Sequence, residues 1–526
     1  MALNDPNATP WWRDAITYQV YVRSFADSDG DGVGDLAGIT SRLPYLRDLG
    51  VDALWITPFY PSPQHDHGYD VADYCDVDPL FGDLAAADEL LATAHDLGLR
   101  VVVDLVPNHT SSEHPWFRAA LAAGPGSAER ARYLFRESPD GPPNNWGSVF
   151  GGPAWTRVED GQWYLHLFDT TQPDLDWRNP EVAALFEDVL RFWLDRGVDG
   201  FRIDVAHGLF KESGLRDQVL PASGDGHTGS MVERRLNDEP MWDQPEVHDV
   251  YRRWHQILAE YDGDRMAVAE AWTQTPESMA RFVRPDELSQ SFNFGWLLAE
   301  WSATAFADVI HGTLTAMAPV GAAATWVLSN HDVARHASRY GGGERGLARA
   351  RAATLTMLAL PGSAYIYQGE ELGLPEVDVA PEHWQDPASL RTGQKGRDGC
   401  RVPIPWSGTS APYGFGPGTG QPWIPQPDEW AALSVEAQQG RAGSTLEFYR
   451  EALRARRRYA LGAGDDVRLD DEPRDVLTVR RGPLTVVLNC GATPVPLPDG
   501  DVLISSGRLE DGKLPADTAA WLQTGR

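Results

Sequence analysis

The chain predicts an α/β barrel of parallel strands, and three observations carry the prediction. Short apolar runs alternate with helical patterns in the order of consecutive βα units. Several of these runs end in a carboxylate or an imidazole at their C-terminal edge, where such barrels gather functional groups. With 526 residues and 42% hydrophobic content the chain can bury more than one hydrophobic core usually supports, so further domains are expected.

Residues 15–22 read as the first strand and 36–49 as the helix that follows it, and 51–56 as the second strand. The spacing predicts a second helix over 84–97, with Gly98 as its C-cap, leading into a strand that ends at Asp104. A helix over 181–196 carries an apolar stripe at Val182, Leu185, Phe186, Val189, Phe192 and Trp193, fit to pack on the outside of a barrel, and Gly197 closes it. Residues 347–360 and 364–367 supply the last helix and strand.

Between residues 108 and 174 the helical rhythm stops and Pro, Gly, Asn and aromatic residues take over. A connection that long carries structure of its own or is disordered, and its aromatics favour structure. The stretch 209–240, rich in Gly, Ser and charge, reads as a mobile excursion at the mouth of the site. From residue 462 short alternating runs such as 476–479 and 484–488 predict a C-terminal antiparallel β-sandwich. The expected organisation is a barrel over 1–107 and 175–461, an inserted domain over 108–174 and a terminal domain over 462–526.

Forty-five Lys and Arg against 76 Asp and Glu give a net charge of -31, which argues against nucleic acid or an anionic membrane as partner and suits a neutral substrate. The 20 Trp exceed what packing alone needs, and flat aromatic faces stack well on sugar rings. No apolar stretch reaches the roughly 20 residues of a membrane span. The first residues, Met-Ala-Leu-Asn-Asp-Pro, have neither the basic start nor the apolar core of a signal peptide, so a cytoplasmic location is expected. Cys75, Cys400 and Cys490 are few, odd in number and far apart, and read as reduced thiols.

The chemistry concentrates at strand ends. In Gly200-Phe201-Arg202-Ile203-Asp204 the two-residue period of a strand puts Arg202 and Asp204 on one face, and a carboxylate beside a guanidinium stays ionised, as a nucleophile must. Similar ends are Asp104 to His109, Glu270 after Met266-Ala267-Val268-Ala269, and Asn330-His331-Asp332 after Trp326-Val327-Leu328. In spacing and order these four segments resemble the signature regions of the retaining α-amylase and α-glucosidase family, glycoside hydrolase family 13, over nearly the whole chain.

The resemblance implies a (β/α)8 TIM barrel with a small domain inserted after strand 3. It implies Asp204 as nucleophile, Glu270 as general acid and base, and Asp332 as the third carboxylate, which grips sugar hydroxyls and favours the distorted ring. Arg202 would hold Asp204 ionised, His109 and His331 would hydrogen-bond the non-reducing sugar, and Asp104 would support that shell. Gln64 to Asp70 resembles the family's first-subsite motif, with Tyr69 as a stacking platform. Arg397 to Pro403 resembles the segment whose arginine pairs with that motif, so an Asp66 to Arg401 bridge is expected to close the pocket around one terminal glucose. Phe150 and Phe168 match aromatic wall positions.

The loop from Asp27 to Asp35 has oxygen donors at alternate positions, as in an EF-hand, although Gly38 stands where that motif has its glutamate. The resemblance implies a structural Ca²⁺, with Mg²⁺ as the alternative, held by Asp27, Asp29, Asp31, the Val33 carbonyl and Asp35. No zinc site and no organic cofactor are expected. Val205 resembles members that cleave α-1,6 bonds, while Ala206 and His207 depart from the oligo-1,6-glucosidase pattern.

The expected activity is therefore a retaining exo-α-glucosidase on short malto- and isomalto-oligosaccharides, with transglucosylation as a side reaction, working as a monomer or homodimer. A strict oligo-1,6-glucosidase and a trehalose synthase or sucrose isomerase are the alternatives. A non-enzymatic scaffold, such as the heavy chain of an amino-acid transporter, has no need of three carboxylates.

Overall fold

Eight strands pair in parallel and close on themselves. A computed structural model describes residues 9–219, 240–418, 420–464, 466–470 and 475–524. The strands are β1 (Ile16–Val20), β2 (Ala53–Ile56), β3 (Arg100–Leu105), β4 (Gly200–Ile203), β5 (Met266–Ala269), β6 (Gln290–Ser291), β7 (Thr325–Val327) and β8 (Ser363–Tyr367). Each pairs with the next except β6 and β7, β8 returns to β1, and a bridge from Phe292 to Thr325 joins β6 to β7. The expected (β/α)8 barrel is thus formed. Strands covered on both faces need apolar residues at nearly every position, and β1, β2, β4, β5, β7 and β8 are buried throughout.

The outer helices include α1 (Leu36–Leu49), α2 (Leu84–Asp96), α3 (Pro180–Asp195), α4 (Val247–Leu258), α5 (Ala303–Met317), α6 (Gly343–Leu358) and α7 (Thr445–Arg458). Asp35 and Asp83 cap α1 and α2, each accepting the backbone N–H three residues on, and α3 opens with Pro180 behind the Asn179 cap. On α3 the face at Val182, Phe186, Val189, Leu190, Trp193 and Leu194 is buried. Leu185 and Phe192 lie at its half-buried margin.

Between β3 and α3 the chain builds a small antiparallel sheet from Phe135–Glu137, Gln162–Leu165 and Trp155–Arg157, the second of these in the middle. Its apolar side, with Trp146, Phe150, Trp155, Leu165 and Phe168, packs on Val205, Met241 and Trp242 and so lies over the end of β4. Of the excursion expected over 209–240, residues 220–239 lie outside the described residues.

The C-terminal part forms a five-stranded antiparallel sheet and a separate two-stranded one. Alternation along Leu484–Asn489 and Thr518–Gln523 sends Val486, Leu488 and Trp521 into the barrel's core, where Trp521 donates to the Leu355 carbonyl of α6 (2.9 Å). Val487, Ala520 and Leu522 on the other face pack with Val495 and Leu514 of the two-stranded sheet.

Candidate active site

The register of three neighbouring strands creates the centre of the site. Asp104 on β3 lies opposite Arg202 on β4, which lies opposite Val268 on β5, and the ladder continues past the strands through Asp204 N–H to Leu105 and Glu270 N–H to Ile203. Gly200 starts β4 because a Cβ there would come within 2.5 Å of the Met266 carbonyl oxygen on β5. One guanidinium then serves three carboxylates. Arg202 Nη1 meets Asp104 Oδ1 (2.8 Å) and Asp204 Oδ1 (2.6 Å), and Nη2 meets Glu270 Oε2 (2.9 Å). Burial alone would push this guanidinium's pKa down, but the carboxylates outweigh it and hold it well above the usual range.

Glu270 is held by two further donors, Trp272 Nε1 to Oε1 (2.8 Å) and the Val205 backbone N–H to Oε2 (2.9 Å). Val205 takes φ +48°, a conformation that costs a β-branched residue strain, while its side chain is buried under the inserted domain. Asp104 Oδ2 accepts from Trp55 Nε1 and Tyr69 Oη, and burial pushes this carboxyl up to about 6 against the pull of Arg202.

A second guanidinium organises the other side of the site. Arg397 Nη2 meets Asp66 Oδ1 (2.9 Å) and Asp386 Oδ1 (2.8 Å), and its Nη1 meets Asp332 Oδ1 (2.9 Å). This corrects the expected Asp66 to Arg401 bridge. Asp386 also accepts from the Arg397 backbone N–H and Nε, which fixes the arginine so that its fork reaches Asp66. The 3-10 turn Asp398–Cys400 then brings Arg401 to the same oxygen, Asp332 Oδ1 (3.1 Å), and to the His331 carbonyl (2.9 Å).

The remaining expected residues surround these clusters. His331 accepts from Gln19 Nε2 at Nδ1 (2.7 Å), leaving Nε2 toward Asp332 (3.6 Å), and burial pushes its pKa down to about 3. Tyr69 stacks on the His331 ring, with centroids 5.3 Å apart and planes 6° apart, and is itself buried. Phe150 lies under the Arg397 guanidinium (4.9 Å), and Phe168 packs between Phe150 and His109. Gln172 Nε2 reaches both Asp66 Oδ2 (3.1 Å) and His109 Nε2 (3.2 Å). Sequence reasoning missed Arg397, Asp386, Gln172, Gln19 and Trp272 as members of this site. Arg397 stood inside the motif already singled out, whereas Gln19 and Gln172 carry no pattern that marks them.

In the acidic loop the carboxylates of Asp27, Asp29 and Asp35 converge, with ligand oxygens within 4.8 Å of one another, and Asp31 is not in this group. Among the described residues none of the four forms a salt bridge. Burial, with lesser contributions from Asp29, Asp27 and Asp35, raises the pKa of Asp31. Hard oxygen donors without a cationic side chain fit Ca²⁺ better than a softer metal.

A closed (β/α)8 barrel with acidic side chains and two guanidiniums gathered past its strand ends defines an enzyme of the glycosidase class. The family model "Alpha amylase, catalytic domain" matches residues 19–464, and the chain belongs to that family. A probable alpha-glucosidase of Rhizobium meliloti (strain 1021) is 40% identical over 476 residues, 85% of this chain and 82% of that one. An oligo-1,6-glucosidase of Heyndrickxia coagulans is 35% identical over 86% of each chain. The solved structure of an alpha-glucosyl transfer enzyme superposes with a TM-score of 0.88 at 37% identity, covering 98% of this chain and all of the other. The trehalulose synthase of Pseudomonas mesoacidophila MX-45 does so with a TM-score of 0.87 at 30% identity, covering 98% and 100%.

Proposed function

We propose that this chain is a retaining exo-α-glucosidase that releases glucose from the non-reducing end of short malto- and isomalto-oligosaccharides. The observation that carries the proposal is the single guanidinium of Arg202 in contact with both Asp204 and Glu270. A shared clamp suits the short separation of a retaining pair, about 5–5.5 Å, better than the wider gap that admits a water between inverting carboxylates. Asp204 attacks the anomeric carbon, forming a C–O bond as the bond to the leaving oxygen breaks, and Glu270 gives its proton to that oxygen. Glu270, now a carboxylate, takes a proton from water, whose oxygen displaces Asp204 and returns the α-anomer. Asp332 binds ring hydroxyls, and the Asp66–Arg397–Asp332 chain ends the pocket behind one glucosyl unit.

Val205, buried beside Phe150, Phe168 and Trp242, narrows the space next to the leaving sugar and favours acceptance of α-1,6 as well as α-1,4 linkages. Likeness to a glucosyl transfer enzyme and a trehalulose synthase supports a share of transfer to sugar acceptors. The acidic loop holds a structural Ca²⁺, or Mg²⁺, through Asp27, Asp29 and Asp35, neutralising their charge without a part in the reaction. No helix among the described residues is long and apolar enough to cross a membrane, and we place the enzyme in the cytoplasm as a monomer or homodimer.

The test is a panel of maltose, isomaltose, nigerose, kojibiose, sucrose and trehalose with analysis of products. Glucose from maltose and isomaltose is the expected result, while isomaltulose or trehalulose from sucrose, or trehalose from maltose, would move the chain to the isomerases. Asp204→Asn should reduce turnover by about 10⁴-fold or more, because no other group can form the covalent intermediate. Undiminished turnover in that variant removes Asp204 from its role.

A further inference from the structure

Lys211, seven residues beyond Asp204, is fully buried, a costly place for an ammonium unless every donor is matched. They are matched: Nζ meets Asp174 Oδ2 (2.7 Å), Asn108 Oδ1 (2.7 Å) and the Gly208 carbonyl (2.6 Å), three acceptors for three N–H groups. An ammonium only donates, so the Asn108 atom facing it is the amide oxygen. The Asn108 nitrogen then points the other way, to His109 Nδ1 (3.1 Å) and Asp174 Oδ2 (3.2 Å). A ring nitrogen that receives an N–H carries no proton itself, which puts the proton of His109 on Nε2, beside the Tyr69 carbonyl (3.1 Å). Gln172 faces His109 Nε2 with an amide nitrogen, because its own oxygen accepts from Asp169 N–H; two N–H groups cannot bond each other, so that nitrogen donates to Asp66 Oδ2.

We propose that Lys211 and Asn108 are positioning residues that fix the tautomer of His109, keeping its one ring proton on Nε2, where the Tyr69 carbonyl orients it at the edge of the glucosyl pocket. The relay spans three parts of the chain, the end of β3, the return of the inserted domain at Asp174 and the segment after β4. It extends the glucosidase reading, in which His109 binds the sugar, but its central claim concerns a proton position that exists without substrate.

The test is long-range ¹H–¹⁵N correlation of the histidine rings in the full-length protein, with His109→Gln to assign the signal. The wild-type ring should show the Nε2–H pattern. Asn108→Asp keeps an acceptor for Lys211 but places an oxygen against Nδ1, and should move the proton to Nδ1 while kcat/KM on 4-nitrophenyl α-glucoside falls by about 10-fold, the worth of one hydrogen bond. Lys211→Met frees the Asn108 amide to turn over and should give a mixture of the two patterns. An Nδ1–H ring in the wild type, or an unchanged Nε2–H ring in Asn108→Asp, overturns the relay whatever the glucosidase assay gives. Absence of glucosidase activity with the expected tautomers would instead overturn the functional reading.

Discussion

At the scale of single residues, Arg397 divides its hydrogen bonds unequally among its carboxylates. Asp386 receives its backbone N–H, Nε and Nη2, and its pKa is held well below the usual carboxylate range, because Arg397 overcomes the effect of burial. Asp66 receives one N–H of the guanidinium and one of Gln172, and burial pushes it up to about 6 despite Arg397 and Arg401. Asp66 therefore takes up a proton first when pH falls, weakening the bridge to Arg397, and Asp104 takes one up in the same range. Activity should fall as pH drops through about 6, and kcat/KM, which reports groups of the free enzyme, should approach a slope of two on a logarithmic plot. In Asp66→Asn the remaining slope should be one, with lower activity at every pH. An acid limb of unchanged steepness in that variant would show that Asp66 does not titrate there.

At the scale of elements, strands and long helices were legible because period and capping are local properties. Residues 36–49 were read as a helix and form α1 over those residues, since Asp35 caps one end and Gly50, at φ +103°, closes the other. The helix expected over 347–360 is α6, which begins earlier, at Gly343, because a run of three glycines marks a turn in sequence while its last member can still open a helix. In the site, the charged residues at strand ends and those inside the two loop motifs are legible, whereas Gln19 on β1 and the loop partners Gln172 and Asp386 are not. Which arginine of the 397–401 segment reaches Asp66 depends on Asp386, a cap residue of the helix Pro387–Thr392, and no pattern in the sequence couples those positions. The turn after β8 holds a buried carboxyl. Glu370 is wholly buried, accepts the Tyr367 N–H (3.1 Å) and meets Tyr449 Oη of α7 (3.4 Å), and burial raises its pKa from 4.5 to about 8. The folded state binds this proton more tightly than the unfolded chain. Its contribution to stability is thus complete below about 4.5 and is lost as pH rises through about 8, by an amount on the order of a few kcal/mol. Glu370→Gln keeps both hydrogen bonds without a charge, so its melting temperature should decline less between pH 6 and 9 than that of the wild type, roughly the range over which Glu370 ionises. Parallel declines would rule out this carboxyl as their source.

At the scale of the whole molecule, the acidic loop ties the first βα connection to a segment nearly four hundred residues later. Asp27 N–H donates to the Phe415 carbonyl (2.9 Å) and Trp423 N–H to the Gly32 carbonyl (2.9 Å), and a Cβ at Gly32 would come within 2.4 Å of the Gln421 carbonyl oxygen. Trp423 in turn packs against Tyr21 and His67, and Tyr21 stacks on His331 at the site. A cation among Asp27, Asp29 and Asp35 would remove their mutual repulsion and hold this seam closed, so the fold and the wall of the pocket should both depend on it. Binding to the folded state alone stabilises by mass action, about 2.7 kcal/mol at a hundredfold excess over Kd. Added Ca²⁺ should therefore raise the melting temperature above its value in EDTA. Mg²⁺ should raise it less, because its strict octahedral geometry fits a turn of flexible carboxylates poorly. Asp29→Ala removes one ligand while leaving the Asp35 cap of α1 intact, and should abolish most of the Ca²⁺ increment. Because the seam ends at Trp423, EDTA should also raise KM more than it lowers kcat. Equal melting temperatures in EDTA and in Ca²⁺ would mean that the loop stands without a cation, on hydrogen bonds such as those the Asp27 carboxylate accepts from Gly30 and Gly32 N–H and the Asp35 carboxylate from Ser28 N–H.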